Sequence, residues 1–197
     1  MAKLFYNGHG SFRLTSASGV VVFIDPFMGE GYDVPADAAI SSHDHPDHCA
    51  FNLITLKDGG KIYKSEDFLH DGVYETFTVG DIKISAVPAC NKNHPIDKCV
   101  GFVITVDGKK IYIAADTSKT EYMETNLSKE ALDYAFLPCD GMFNMDTAEA
   151  SECAKIIGAK VSVPMHMAPG KLFDEDVAAK FIAEGKLVVK PSEEIEL

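Results

Sequence analysis

Apolar and polar positions alternate along most of this chain in short runs broken by Gly, Asp and Ser. "SFRLTSASGVVVFIDP" at 11–26 reads as two strands around a Ser-Ala-Ser-Gly turn. "YETFTVGDIKISAVP" at 74–88 repeats the pattern around Val-Gly-Asp, and "GFVITVDGKKIYIAADT" at 101–117 repeats it around Asp107-Gly108, a strong hairpin signal. Shorter strands are predicted at Ala38–Ser41, Ile62–Lys64, Tyr134–Leu137, Val161–Val163 and Leu187–Val189.

Helical spacing is rarer. "MDTAEASECAKIIGAK" starts at an Asp/Thr cap and puts Ala150, Cys153, Ala154 and Ile157 on one face. "LFDEDVAAKFIAEGK" opens at Asp174, carries acids in its first turn and reaches Gly185. A third helix is expected after His48, through "CAFNLITLK". Two of the hairpins, ending "VVVFIDP" and "KIYIAADT", each deliver an aspartate just past a buried strand, Asp25 and Asp116. That echo predicts two similar β-rich halves in a sandwich, with a site between the sheets.

Composition narrows the setting. A chain of 197 residues without linkers or low-complexity segments is read as one domain, 1–197. No apolar run approaches a membrane span, and "MAKLFYNGHG" lacks the features of a signal peptide, so a cytoplasmic location is expected. The five cysteines are widely spaced without a C-x-x-C pair, which fits a reducing compartment. A formal charge of −12 and no basic cluster argue against nucleic-acid or anionic-membrane partners. The same acidity suits divalent cations.

Candidate chemistry concentrates in "HDHPDH" at 43–48, which holds three of the seven histidines. Pro46 disfavours helix at His45 and suits the first turn of a helix, so the motif bends from strand toward helix. In such a bend His43 and His45 can reach one metal ion while Asp47 and His48 reach another. Imidazole with carboxylate suits zinc, iron, manganese or nickel. Further donors follow strand ends: Asp116, whose two oxygens can bridge two ions, His166 in "VPMHMAPG", and His94 in the loop "ACNKNHPID". His9, between Gly8 and Gly10, either lines a substrate cleft or is a structural histidine. Asp25 fits a carboxylate accepting the ring N–H of a metal-bound histidine. His70 has no partner in sequence and is read as surface.

On these residues the chain resembles the metallo-β-lactamase fold superfamily of metal-dependent hydrolases. "HDHPDH" matches its H-x-H-x-D-H signature, and Asp116 and His166 follow in the expected order. "GHGSFRL", "IDP", "AADT" and "VPMH" most resemble its small cytosolic branch related to ascorbate-6-phosphate lactonase. The resemblance implies an α/β (α+β) fold, a four-layer αββα sandwich. It implies two divalent metal ions, zinc first, with manganese or iron as alternatives. His43 and His45 would hold the first ion, Asp47 and His48 the second, Asp116 would bridge them and His166 would complete the second site. The family's remaining histidine for the first ion falls where this chain reads Cys90-Asn91, which leaves His94 and the Cys90 thiolate as competitors, with His94 preferred.

The expected activity is hydrolysis of a small ester, lactone or phosphodiester by hydroxide held between two ions about 3.5–4 Å apart, with Asp47 orienting it. An RNA or DNA phosphodiesterase is the enzymatic alternative, and a metal-binding protein without turnover is the non-enzymatic one. The expected partner is a small molecule, and a homo-oligomer is compatible with the sequence.

Overall fold

The computed structural model describes residues 1–197. The first half of the chain supplies β1 (Lys3–Gly8), β2 (Ser11–Thr15), β3 (Val21–Ile24), β4 (Ala36–Ile40) and β5 (Leu56–Tyr63). A one-turn helix α1 (Ser65–Phe68) and a two-residue ladder, β6 (Leu69–His70) with β7 (Val73–Tyr74), lead to the second half. That half contains β8 (Thr76–Val79), β9 (Ile82–Pro88), β10 (Val100–Val106), β11 (Lys109–Ile113), α2 (Glu121–Thr125), β12 (Tyr134–Pro138), α3 (Thr147–Ile157), β13 (Val161–Met165) and α4 (Glu175–Lys180). The last strand, β14 (Glu194–Glu196), returns to the first sheet.

Two six-stranded mixed sheets result, ordered β14-β1-β2-β3-β4-β5 and β13-β12-β11-β10-β9-β8. Each combines antiparallel hairpin pairs with a run of parallel strands, β3-β4-β5 in one and β11-β12-β13 in the other, and β14 adds an antiparallel edge to the first. Asp107 and Gly108 both take positive φ, the backbone a two-residue hairpin turn requires. Parallel neighbours need crossovers, so the C-terminal ends of each set lie along one edge. Asp25, His43, Asp116, Asp140 and His166 all follow such ends within a few residues.

The sheets pack face to face over one apolar cluster drawn from both. Phe12 of β2 meets Phe136 of β12 edge-on at 4.9 Å, and Tyr6 stacks on Phe12 at 5.1 Å. Outside the second sheet, α3 buries Ala150, Cys153, Ala154 and Ile157, the four residues of its predicted apolar face. Asp146 caps that helix by accepting from the N–H of Ala148 and Glu149, and Gly158 ends it in the left-handed conformation. No helix is long and apolar enough to cross a membrane.

Three local expectations fail. The segment after His48 forms only a 3-10 turn at Phe51–Leu53 before entering β5. Its apolar residues Phe51, Ile54 and Leu56 pack instead against Val21, Phe23, Ala36 and Ala39 on the outer face of the first sheet, so tertiary burial overrides helical spacing. The helix from Asp174 stops at Lys180, because Phe181 turns extended into the core. Leu187–Val189 is not a strand; the contact there is one bridge between Ser162 and Lys186.

Because Phe136 is fully buried where the sheets meet, Phe136→Ala is expected to cost about 3–5 kcal/mol. Urea unfolding measures it, and a loss below about 1 kcal/mol would contradict the inter-sheet packing described.

Candidate metal centre

The histidine-rich turn is fixed by its backbone before its side chains matter. His48 N–H donates to the carbonyl of His45, and Ala50 N–H donates to that of Pro26, so the chain folds back over the end of β3. His43, His48, His94, Asp116 and His166 are all buried, while His45 is exposed at the rim and Asp47 is one-third exposed.

Their donor atoms converge in three overlapping groups: His43, His45 and His94; His43, His48 and Asp116; and His9, Asp47, His48 and His166. His43 Nε2 lies 3.0 Å from His45 Nδ1. One oxygen of Asp116 lies 3.3 Å from His48 Nε2 and 3.4 Å from His166 Nε2, and the other lies 3.4 Å from His94 Nε2. Two donors on one ion, bonded at about 2.0–2.2 Å, sit about 3.0–3.5 Å apart at ordinary coordination angles. His48 Nε2, His166 Nε2 and Asp116 Oδ1 are buried without any hydrogen-bond partner. Buried polar atoms are rarely left so, and here they face one another. The donor set fits divalent cations.

Outer partners aim these rings. Asp25 accepts from the N–H and hydroxyl of Ser42 and lies 3.0 Å from His48 Nδ1, while Ser42 Oγ lies 2.9 Å from His43 Nδ1. Asn91 Oδ1 accepts from the N–H groups of Asn93 and His94 and lies 2.9 Å from His94 Nδ1. Asn91 therefore folds the loop so that a histidine three residues later faces Asp116. Asn91 also donates to Asn144, and Asn144 donates to Asp140. Asp140 Oδ2 lies 3.0 Å from His166 Nδ1. Ser42, Asp25 and Asn91 thus engage the outer Nδ1 of His43, His48 and His94, which turns the inner nitrogen of each of these rings toward the site.

The electrostatics follow from this packing. Burial, reinforced by nearby His48, pushes His43 down to about 2, so it is neutral with a free lone pair. Burial alone would raise Asp116, but His48 and His166 around it hold it well below the carboxylate range. His48 is raised despite burial, because Asp116 and Asp25 flank it and stabilise positive charge there. Burial raises and His166 and two loop N–H groups lower Asp140, which settles at about 2.

All the expected ligands reach this end of the sandwich. His94 joins His43 and His45, with its ring 4.8 and 5.0 Å from theirs, whereas the Cys90 thiol belongs to none of the groups. Cys90 is held through its backbone by Thr117. Asp25 is buried behind the site, with Oδ2 3.0 Å from His48 Nδ1. His9 joins Asp47, His48 and His166 rather than an open cleft wall. His70 is exposed. Asp140 was not anticipated, although "AFLPCD" places it past a buried strand in the manner of Asp25 and Asp116.

Comparison with known proteins agrees with this geometry. Residues 3–166 match the family model of the beta-lactamase superfamily domain. The chain belongs to that superfamily. A UPF0173 metal-dependent hydrolase from Methanoculleus marisnigri is 31% identical over 182 residues, covering 83% of this chain and 80% of the relative. Igni18, a metallo hydrolase from Ignicoccus hospitalis, superposes with a TM-score of 0.74 at 24% identity over 98% of this chain and 97% of its own. The diiron β-hydroxylase CmlA from Streptomyces venezuelae superposes at 0.73 and 15% identity, over all of this chain and 54% of CmlA. The fold is therefore the metallo-β-lactamase sandwich, and the protein is a metal-dependent hydrolase.

Removing an outer partner of a metal-binding histidine typically lowers affinity about 10–100-fold. Asp140→Ala is expected to do so, measured by competition with a metal chelator, and unchanged affinity would show that Asp140 serves only its loop. His94→Ala should lower metal content by about one ion per chain and Cys90→Ser should not. The reverse result in elemental analysis would exchange their roles.

Proposed function

We propose that this hydrolase works with two divalent cations and acts on a small, uncharged ester or lactone. His43, His45 and His94 would hold the first cation, Asp47, His48 and His166 the second, and Asp116 would bridge them. The observation that carries this reading is Asp116 itself, whose two oxygens face different histidine groups at 3.3–3.4 Å and 3.4 Å. A single ion leaves one of those buried faces uncompensated.

The bound cations would supply a water acidified to a pKa of about 7 and a Lewis-acid contact for the substrate's carbonyl oxygen. The chain's own groups do the rest. Asp47, partly exposed at the mouth of the site, is placed to orient the attacking water and accept its proton. Above it opens a cavity of about 350 Å³, bounded by Pro46, Asn93 and Phe143 as well as the site residues. Phe143 rides on a loop whose backbone N–H groups converge on Asp140 Oδ1, which gives the substrate's apolar part a fixed wall.

No lysine or arginine lines that cavity, so a phosphodiester would meet no protein cation there. An uncharged acyl group suits the lining better, and the chain's charge of −12 opposes a polynucleotide. Zinc is one ion that such donors accept, with manganese and iron as others.

Asp116→Ala is expected to lower turnover by at least about a hundredfold with the fold retained, the scale of losing an electrostatic catalytic element. The assay is metal-reconstituted protein against activated lactones, esters, thioesters and phosphodiesters, with circular dichroism as the fold control. Turnover only of phosphodiesters would overturn the substrate class, and equal rates in mutant and wild type would overturn the bridging role.

A further inference from the structure

His9 is built into the second donor group more firmly than a cleft-lining residue requires. Its backbone takes a positive φ of 59°, unusual for a residue with a side chain. Three hydrogen bonds hold it there: its N–H donates to the Leu172 carbonyl, and its own carbonyl accepts from His166 N–H and the Tyr6 hydroxyl. Next to it, a Cβ on Gly10 would stand 3.2 Å from His48 Cε1, so any side chain there would crowd the ring. The ring is fully buried, with its centroid 3.7 Å from that of His166.

The ring's hydrogen bonding sharpens the point. Nδ1 lies 2.9 Å from the carbonyl of Lys171, which can only accept, so Nδ1 carries a proton. Nε2 then faces Asp47 Oδ2 at 3.3 Å. In a neutral ring that puts a lone pair against a carboxylate. A second proton or a cation between the two atoms relieves it. A charge-assisted N–H to carboxylate bond closes to about 2.7–2.9 Å. The observed 3.3 Å is longer, and it matches the 3.3–3.4 Å between Asp116 and the nitrogens of His48 and His166.

We propose that His9 Nε2 is a fifth protein donor to the second cation, alongside Asp47, His48, His166 and Asp116, and that it makes this position selective for six-coordinate ions. This extends the two-cation reading above and rests on it. Five protein donors and one water fill an octahedron, whereas zinc in proteins is usually four-coordinate. Raw affinity favours zinc over manganese and iron, so a site that takes the latter must do so by geometry. The second position is thus the manganese- or iron-type site, and the first, with three imidazoles and one Asp116 oxygen, the zinc-type site.

The test uses metal-free full-length protein, refilled with cobalt and separately with an equimolar mixture of manganese and zinc. Wild type should bind two ions, with the second cobalt adding only the weak visible absorption of five- or six-fold coordination. His9→Asn, a residue that tolerates positive φ, should intensify that band severalfold and shift the second position toward zinc by at least about tenfold. A wild-type second cobalt with the intense band of four-fold coordination overturns the proposal without any variant. So does His9→Asn with an unchanged spectrum and metal ratio, the result expected if His9 merely pairs with Asp47. Wild type that binds fewer than two ions overturns the two-cation reading itself. The wild-type spectrum decides the matter even if the variant fails to fold.

Discussion

A buried carboxylate ringed by histidine nitrogens is the constraint on which the rest of this structure depends. Asp116 is 3% exposed, and one of its oxygens has no hydrogen bond. Removing such a charge from water costs several kcal/mol unless something compensates it. The chain brings three histidine nitrogens to 3.3–3.4 Å from its oxygens, and Asp25 and Asn91 engage the outer nitrogens of two of those rings, His48 and His94. The arrangement is at rest only around positive charge, supplied by a bound cation or by a proton on His48 between Asp116 and Asp25. A cation bound there would stabilise the fold at this end of the sandwich as well.

The backbone carries part of the same cost. Of eight non-glycine residues with positive φ, four border the site: His9, Asp25, Ala115 and His166. Each such residue costs on the order of 1–2 kcal/mol. Their common position explains the pattern. A strand runs straight, and its last side chain points up or down the sheet; a left-handed residue just past the end swings the next side chain over the edge. Parallel strands bring their ends to one edge, and two sheets packed face to face bring two such edges together. The repeated arrangement of β3-β4-β5 and β11-β12-β13 is thus a means of aiming side chains, as well as a way of filling a core.

Much of this was legible before any coordinates. The hairpins were visible because period-two alternation and Asp107-Gly108 act locally, and α3 because its cap and apolar face are local too. The hexapeptide at 43–48 was legible because a solvated turn has no reason to collect imidazoles. What escaped depends on distant parts of the chain. Phe51, Ile54 and Leu56 have helical spacing, yet the outer face of the first sheet claims them. Phe181 ends α4 for the core's sake. Glu194–Glu196 pairs with β1 although its sequence offers one apolar residue, because the edge beside β1 is open and Lys3 and Arg13 wait for Glu194. Asp140 carried the strand-end signal of Asp25 and Asp116, but only its spatial neighbour His166 gives it meaning.

The loop at Cys90-Asn91 shows how a histidine away from any strand end is aimed at Asp116. Asn91 has one carbonyl oxygen, which gathers the two N–H groups that turn the loop and also faces His94 Nδ1. Its amide nitrogen is then committed to Asn144, which in turn donates to the carboxylate beside His166. Every amide in that path has its orientation set by its neighbour, and through them the His94 ring is oriented toward Asp116. The path also joins a ring facing one Asp116 oxygen to a ring facing the other. Two clusters that share Asp116 at the centre thus share a polar network at the periphery, and neither can change its spacing without disturbing the other.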